Sequence, residues 1–212
     1  MTERSVKNMS PRTKEQNEEI RESRRQQIMD AALELFASEG YAHCSIAQLA
    51  KHAEISKGLM YSYFESKEAL LVALIEEGMD GILKDIDLDH DRILSPEEME
   101  AMIRKTFGAI RENQSFWTLY ISIILQPRVK EFLKGKPFAD IMDQYGPLIM
   151  NYFVEMGFED PALETLTFSA MFEGFGVLMV YANPGFEFPA GLLLKYENRV
   201  VNMFTGKFNK IE

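Results

Sequence analysis

Residues 45–64 read Ser45-Ile46-Ala47-Gln48-Leu49-Ala50-Lys51-His52-Ala53-Glu54-Ile55-Ser56-Lys57-Gly58-Leu59-Met60-Tyr61-Ser62-Tyr63-Phe64. Two short helices are written into this stretch. Ser45 precedes the apolar set Ile46, Leu49, Ala50 and Ala53, and its hydroxyl is placed to cap the first turn, with Gln48 completing a capping box. Ser56 starts the second helix, whose inward residues Met60 and Phe64 stand four apart, and Ile55 before it is placed as a hydrophobic staple. Only Glu54, Ile55 and Ser56 separate the two. Upstream, Ile28, Ala31, Ala32, Leu35 and Phe36 mark one face of a longer helix that runs from Arg24 and ends at Gly40. Two short helices so tightly joined and braced by a longer one have the form of a helix-turn-helix, whose second helix can enter a major groove.

With Met60 and Phe64 turned inward, the opposite face carries Lys57, Gly58, Leu59, Tyr61, Ser62 and Tyr63. Lys57 can donate to guanine acceptors, Gly58 permits close approach and Leu59 can touch a thymine methyl. The hydroxyls of Tyr61, Ser62 and Tyr63 suit phosphate oxygens, and Lys67, at the start of the next helix, adds a charge. Ser45 and Ser56, at the two caps, complete the candidate DNA-binding set. Packing roles for Tyr61 and Tyr63, and a solvated helix-start role for Lys67, stay open at this stage.

These residues, with Ala31-Ala32-Leu33-Glu34-Leu35-Phe36, Gly40-Tyr41 and Ser66-Lys67-Glu68-Ala69-Leu70, closely resemble the amino-terminal domain of the tetracycline-repressor-like (TetR/AcrR) family of bacterial transcription regulators. The resemblance runs from about Arg24 to Leu71. It departs at Ser45, where the family commonly has Thr, and at Glu54-Ile55, where it commonly has Gly-Val. The second departure matters more, because a turn position that favours Gly often needs positive φ, and a carboxylate near DNA opposes binding. The resemblance implies an all-α protein with an amino-terminal three-helix DNA-binding domain and a carboxy-terminal helical domain for ligand binding and dimerisation. It also implies a homodimeric repressor, released from a palindromic operator by a small-molecule inducer. Such a dimer presents two reading helices to successive major-groove turns, roughly 34–36 Å apart.

Charge and composition divide the chain in the same place. Net charge is −10 over 212 residues. Residues 1–67 are balanced, with ten Lys/Arg against ten Asp/Glu, so the whole excess of acid lies in residues 68–212. That second part also holds thirteen of the fifteen Phe and nine of the thirteen Met. The expected organisation is a flexible arm at 1–18, a DNA-binding domain at 19–67 and a ligand-binding and dimerisation domain at 68–212. Arg4, Lys7, Arg12 and Lys14 in the arm are either solvated or reach a neighbouring minor groove. With a single cysteine, Cys44, there is no disulfide framework, and the polar start of the chain lacks a signal-peptide core. Ser115–Pro127, the longest uncharged apolar stretch, is too short to span a bilayer. A cytoplasmic protein without a membrane partner is expected.

Beyond residue 67 helices are expected at 67–84, 96–111, 114–125, 137–156, 161–181 and 189–204, most with Pro near the first turn. Candidate ligand-binding residues are Phe116, Trp117, Tyr120, Met150, Phe153, Phe172 and Phe175, since large aromatic and flexible Met side chains can line an adaptable cavity; each is otherwise simply core. Few polar groups accompany them, so the expected ligand is hydrophobic or aromatic. Phe168, Gly176, Met179, Leu193, Tyr196 and Val200, repeating at helical spacing on the last two helices, are the candidate dimer interface, with packing inside one subunit as the alternative.

A rival pattern stands at 87–98. Asp87, Asp89, Asp91, Leu94, Ser95 and Glu98 occupy positions 1, 3, 5, 8, 9 and 12 of an EF-hand loop, but Arg92 replaces the Gly that its turn needs. The favoured reading is an acidic connector in which Ser95 caps the next helix. His43, His52 and His90 form no metal-ligand motif, and neither a phosphate loop nor a nucleophile elbow is present, so no enzyme, metal or cofactor is expected. The competing function class is an all-α small-molecule or calcium-binding sensor acting through protein contacts.

Overall fold

A computed structural model describes residues 13–83, 86, 91–124, 126, 138–181 and 188–206. The first helix, α1 (Lys14–Glu39), begins ten residues ahead of Arg24. Its start is a capping box: Thr13 Oγ1 accepts from the Gln16 amide, and Gln16 Oε1 from the Thr13 amide. Polar residues exposed on every side fill its first turns, so no apolar period marks them, and Lys14 is helical rather than part of an arm. Arg4, Lys7 and Arg12 lie outside the described residues.

A single turn of 3₁₀ helix (Tyr41–His43) leads to α2 (Ile46–His52), α3 (Lys57–Tyr63) and α4 (Lys67–Leu83). Ile28, Met29, Ala32 and Phe36 of α1 meet Leu49, Ala50, Met60 and Phe64, and Leu70, Leu71 and Leu74 of α4 close the same core. The first half of α4 therefore packs with α1, α2 and α3, while its second half, through Ile75, Met79 and Ile82, continues into the body formed by the later helices. Arg25 and Gln26 on α1 also reach Glu77 on α4, at 3.5 and 2.8 Å.

The body comprises α5 (Pro96–Glu112), α6 (Gln114–Ile124), α7 (Phe138–Glu155), α8 (Pro161–Tyr181) and α9 (Leu192–Phe204). These bounds fall within a few residues of the expected ones, and no strand occurs among the described residues. Helix α6 lies between the two regions, packing on α1 at one side and α8 at the other. Its Phe116 ring rests on the backbone of α4 at Gly78, where a side chain of any size would overlap the ring. A buried carboxylate, Glu197 on α9, is held by Arg104 and Arg111 of α5 at 3.0 and 2.6 Å, fixing α9 on α5.

Asp87 and Asp89 of the EF-hand-like pattern lie outside the described residues. In the part described, Ser95 and Glu98 form the capping box of α5, Leu94 is buried and Asp91 Oδ1 accepts from the Ile93 amide. Arg92 takes a left-handed φ of 65°, the conformation for which an EF-hand uses Gly. Among the described residues no group of three or more potential ligands could hold a metal ion.

Candidate functional site

Both short helices are capped as their sequences demand. Ser45 Oγ accepts from the Gln48 amide and Ser56 Oγ from the Leu59 amide, so the two hydroxyl oxygens are committed to capping the starts of α2 and α3. The three-residue link carries Glu54 at φ 55°, a left-handed conformation disfavoured for any residue with a Cβ. Gln27 of α1 steadies that link by donating Nε2 to the Ala53 carbonyl at 3.2 Å.

This link sets the pose of α3. Met60 is fully buried and Phe64 nearly so, which rotates the rest of the helix toward solvent. Lys57 and Gly58 are exposed at its amino-terminal end, followed by Leu59 at 39% and Tyr61 at 47% exposure. Lys57 Nζ stands over the Tyr61 ring, 5.8 Å from its centroid, a loose association that leaves its donors available. A Cβ at Gly58 would come within 4.0 Å only of Ser56 Oγ, so glycine leaves the surface there low enough for close approach. Ser62 Oγ donates to the Leu59 carbonyl, and Tyr63 is half-buried against the core. The outward set is thus Lys57, Gly58, Leu59, Tyr61 and Ser62, with Tyr63 at its edge.

Lys67 faces inward. Its Nζ donates to the carbonyls of Tyr41 and Cys44, both at 2.9 Å, and lies 4.2 Å from the centre of the Tyr41 ring. The charge that the sequence offers to a phosphate instead ties α4 to the turn before α2. Burial pushes the Tyr41 hydroxyl up, beyond the usual tyrosine range, with Glu68 adding to the effect.

In the body the candidate ligand residues fall into three ring groups, the second and third joined where Phe172 meets Phe168 at 4.7 Å. Phe116, Trp117 and Tyr120 form one on α6, Trp117 meeting each neighbour edge-on at 5.4 Å and contacting Gly176 of α8. Phe172 and Phe175 pack with Phe107 and Tyr196. Phe153 belongs to a third group with Tyr152, Phe168 and Phe204, and Met150 Sδ accepts from Thr165 Oγ1. Tyr120 lies deep, and burial followed by the charge of Glu173 raises its hydroxyl pKa well above normal.

Of the candidate interface residues, Phe168, Gly176 and Val200 are buried inside the subunit, and Met179, Leu193 and Tyr196 pack against its core. The exposed apolar surface is a different stripe of α8: Leu163, Leu166 and Leu178 are 54%, 66% and 57% exposed, with Ala170 and Gly174 exposed between them. Leu192 and Leu194 add to it on α9. Helix α8 is apolar on both faces, so periodicity alone selects the wrong one for the surface. Its segment Pro161–Val180 is long and apolar enough to cross a membrane by composition, although Glu164 and Glu173 interrupt it and it packs on α5, α6 and α7.

Residues 28–74 match the family described as bacterial regulatory proteins, tetR family. The chain is similar to the fatty acid metabolism regulator protein of Bacillus subtilis (strain 168), 27% identical over 124 residues that make up 55% of this chain and 63% of that protein. It is also similar to the uncharacterized HTH-type transcriptional regulator YuxN of the same organism, 50% identical over 48 residues, 23% of this chain and 16% of that one. The matched stretches thus span less than two thirds of these curated relatives. A solved structure of the fatty acid degradation regulator FadR from Bacillus halodurans shares the fold, with a TM-score of 0.67 at 20% identity over 86% of this chain and 95% of that chain.

Proposed function

We propose that this chain, which belongs through residues 28–74 to the tetR family of bacterial regulatory proteins, is a ligand-responsive DNA-binding transcriptional regulator. The observation that carries this reading is the pose of α3: a rigid, capped helix with Met60 buried and Lys57, Gly58, Leu59 and Tyr61 outward, as insertion into a major groove requires. Residues 19–67 with the first half of α4 act as the reading head, and the remainder as the sensing and assembly domain. A homodimer joined through α8 and α9 places two such helices on a palindromic operator. Support for that assembly is the exposed stripe Leu163, Leu166, Ala170, Gly174 and Leu178, an apolar patch of the kind that marks an interface in a water-soluble protein. Cytoplasmic location follows from the DNA partner.

A repressor mode is proposed, with the inducer enclosed by the aromatic residues of the body. The relatives named for fatty acid metabolism and degradation, and the aromatic, apolar make-up of the body, favour an apolar acyl-type ligand. To empty the operator nearly completely, that ligand must prefer the released conformation by roughly 5 kcal/mol. The test is a mobility-shift titration with DNA from upstream of the gene, at several salt concentrations. Lys57→Ala should weaken specific binding by about 1–3 kcal/mol and leave the oligomeric state intact. Unchanged affinity in that variant would remove α3 as the reading helix.

A further inference from the structure

Among the described residues, Trp117 Nε1 is the one buried side-chain donor that meets no acceptor. The residue is 6% exposed, so water does not serve the N–H from the surface. A buried, unpaired donor costs about 1–3 kcal/mol, and about nine in ten buried polar groups avoid that cost. Other buried polar groups of the body follow the rule: Glu197 is held by two arginines, Tyr152 donates to the Phe204 carbonyl and Thr205 to the Val201 carbonyl. Trp117 stands out against them.

Its surroundings say what kind of group is missing. Phe116 and Tyr120 pack edge-on to the indole, and Gly176 of α8 lies against its six-membered ring at the Cε3–Cζ3 edge, so these contacts leave the N–H without an acceptor. These neighbours are aromatic rings and glycine, with Ile121 beside them, and none offers an acceptor to the indole. A lone indole N–H in apolar surroundings cannot repay the desolvation of an anion. A neutral acceptor needs only the single bond.

We infer that Trp117 is the polar anchor of the effector site, donating its indole N–H to an uncharged carbonyl oxygen on an otherwise apolar effector. This rests on the ligand-responsive reading above and narrows it, since it excludes both a pure hydrocarbon and a free carboxylate at this position. Trp117 thereby sets ligand class, while the rings around it supply most of the affinity.

The 212-residue chain has one Trp, so its ¹H–¹⁵N spectrum contains one indole cross-peak, and Trp117→Phe identifies it by its loss. The probes are 2-undecanone, undecane and decanoate. The ketone should move the indole proton downfield and bind about tenfold more tightly than the alkane, the gain expected of one added hydrogen bond. Decanoate should bind more weakly than the ketone, and in Trp117→Phe, followed by thermal shift, ketone and alkane should become equivalent. If ketone and alkane bind wild-type protein equally and leave the indole proton in place, the anchor is overturned while an apolar effector site stands. Tighter binding of decanoate also overturns it. If no probe binds, the effector-site reading and the anchor fail together.

Discussion

Lys67→Met separates the role of this lysine in holding the reading head together from any direct role on DNA. The variant keeps the aliphatic stem but removes two hydrogen bonds, to Tyr41 O and Cys44 O at 2.9 Å each, and the contact with the Tyr41 ring. Hydrogen bonds to a charged group contribute about 1.5–3 kcal/mol each, and the cation–π contact about 0.5–1 kcal/mol where exposed. Because Lys67 is half-buried, water recovers part of both, and release of the side chain's rotamers offsets about 1–2 kcal/mol more. A net loss of about 2 kcal/mol follows, which for a chain of this size lowers Tm by about 4–8 °C. Thermal unfolding followed by circular dichroism measures it. DNA binding supplies the second measurement: loss of a phosphate-contacting lysine lowers the slope of log K against log salt by about one, whereas Lys67→Met should leave that slope unchanged. A variant with a Tm within about 2 °C of wild type and a reduced salt slope would refute the structural assignment.

Three further outcomes are expected. Glu54→Gly relieves a left-handed residue at about 1 kcal/mol, less about 0.5 kcal/mol for glycine's greater freedom when unfolded, so urea unfolding should show a small gain that Glu54→Ala lacks. A Gly variant less stable than wild type contradicts this. Burial pushes the Tyr152 hydroxyl up to about 12, above its unfolded value, so its contribution to stability is intact below about pH 10 and is lost between there and about pH 12. Over that window wild-type stability should fall about 1.4 kcal/mol per pH unit faster than that of Tyr152→Phe, and parallel curves would rule the assignment out. Leu166→Glu with Leu178→Glu puts two charges on the exposed stripe of α8, and sedimentation should show monomer with the helix content unchanged; a persistent dimer would place the interface elsewhere.

What the sequence made legible was local. Caps at Ser45, Ser56 and Ser95 and the spacing of Met60 and Phe64 are physical instructions carried within a few residues, and the reading head forms where they predict. Glu54 was legible as a misfit through the family resemblance, which implies Gly at that turn, and its φ of 55° agrees. Lys67 was not, since a charge in the sequence does not disclose that the chain brings two carbonyls to meet it. The α8 face was illegible for a related reason: Phe168 and Leu166 are equally apolar, and only the partners that α7 and α9 supply decide which of them is covered. The first turns of α1 were missed because an exposed helix has no apolar period to read; Thr13 and Gln16 were its only signal.

The seat of Phe116 on Gly78 constrains how a signal crosses the molecule. At that point ring meets bare backbone, with no side chain of α4 between them to absorb a small displacement. A shift of α6 must either carry α4 and the reading head with it or unseat the ring altogether. The joint is therefore stiff, favouring a response with two settings over a graded one, and mutational drift at position 78 is confined to glycine.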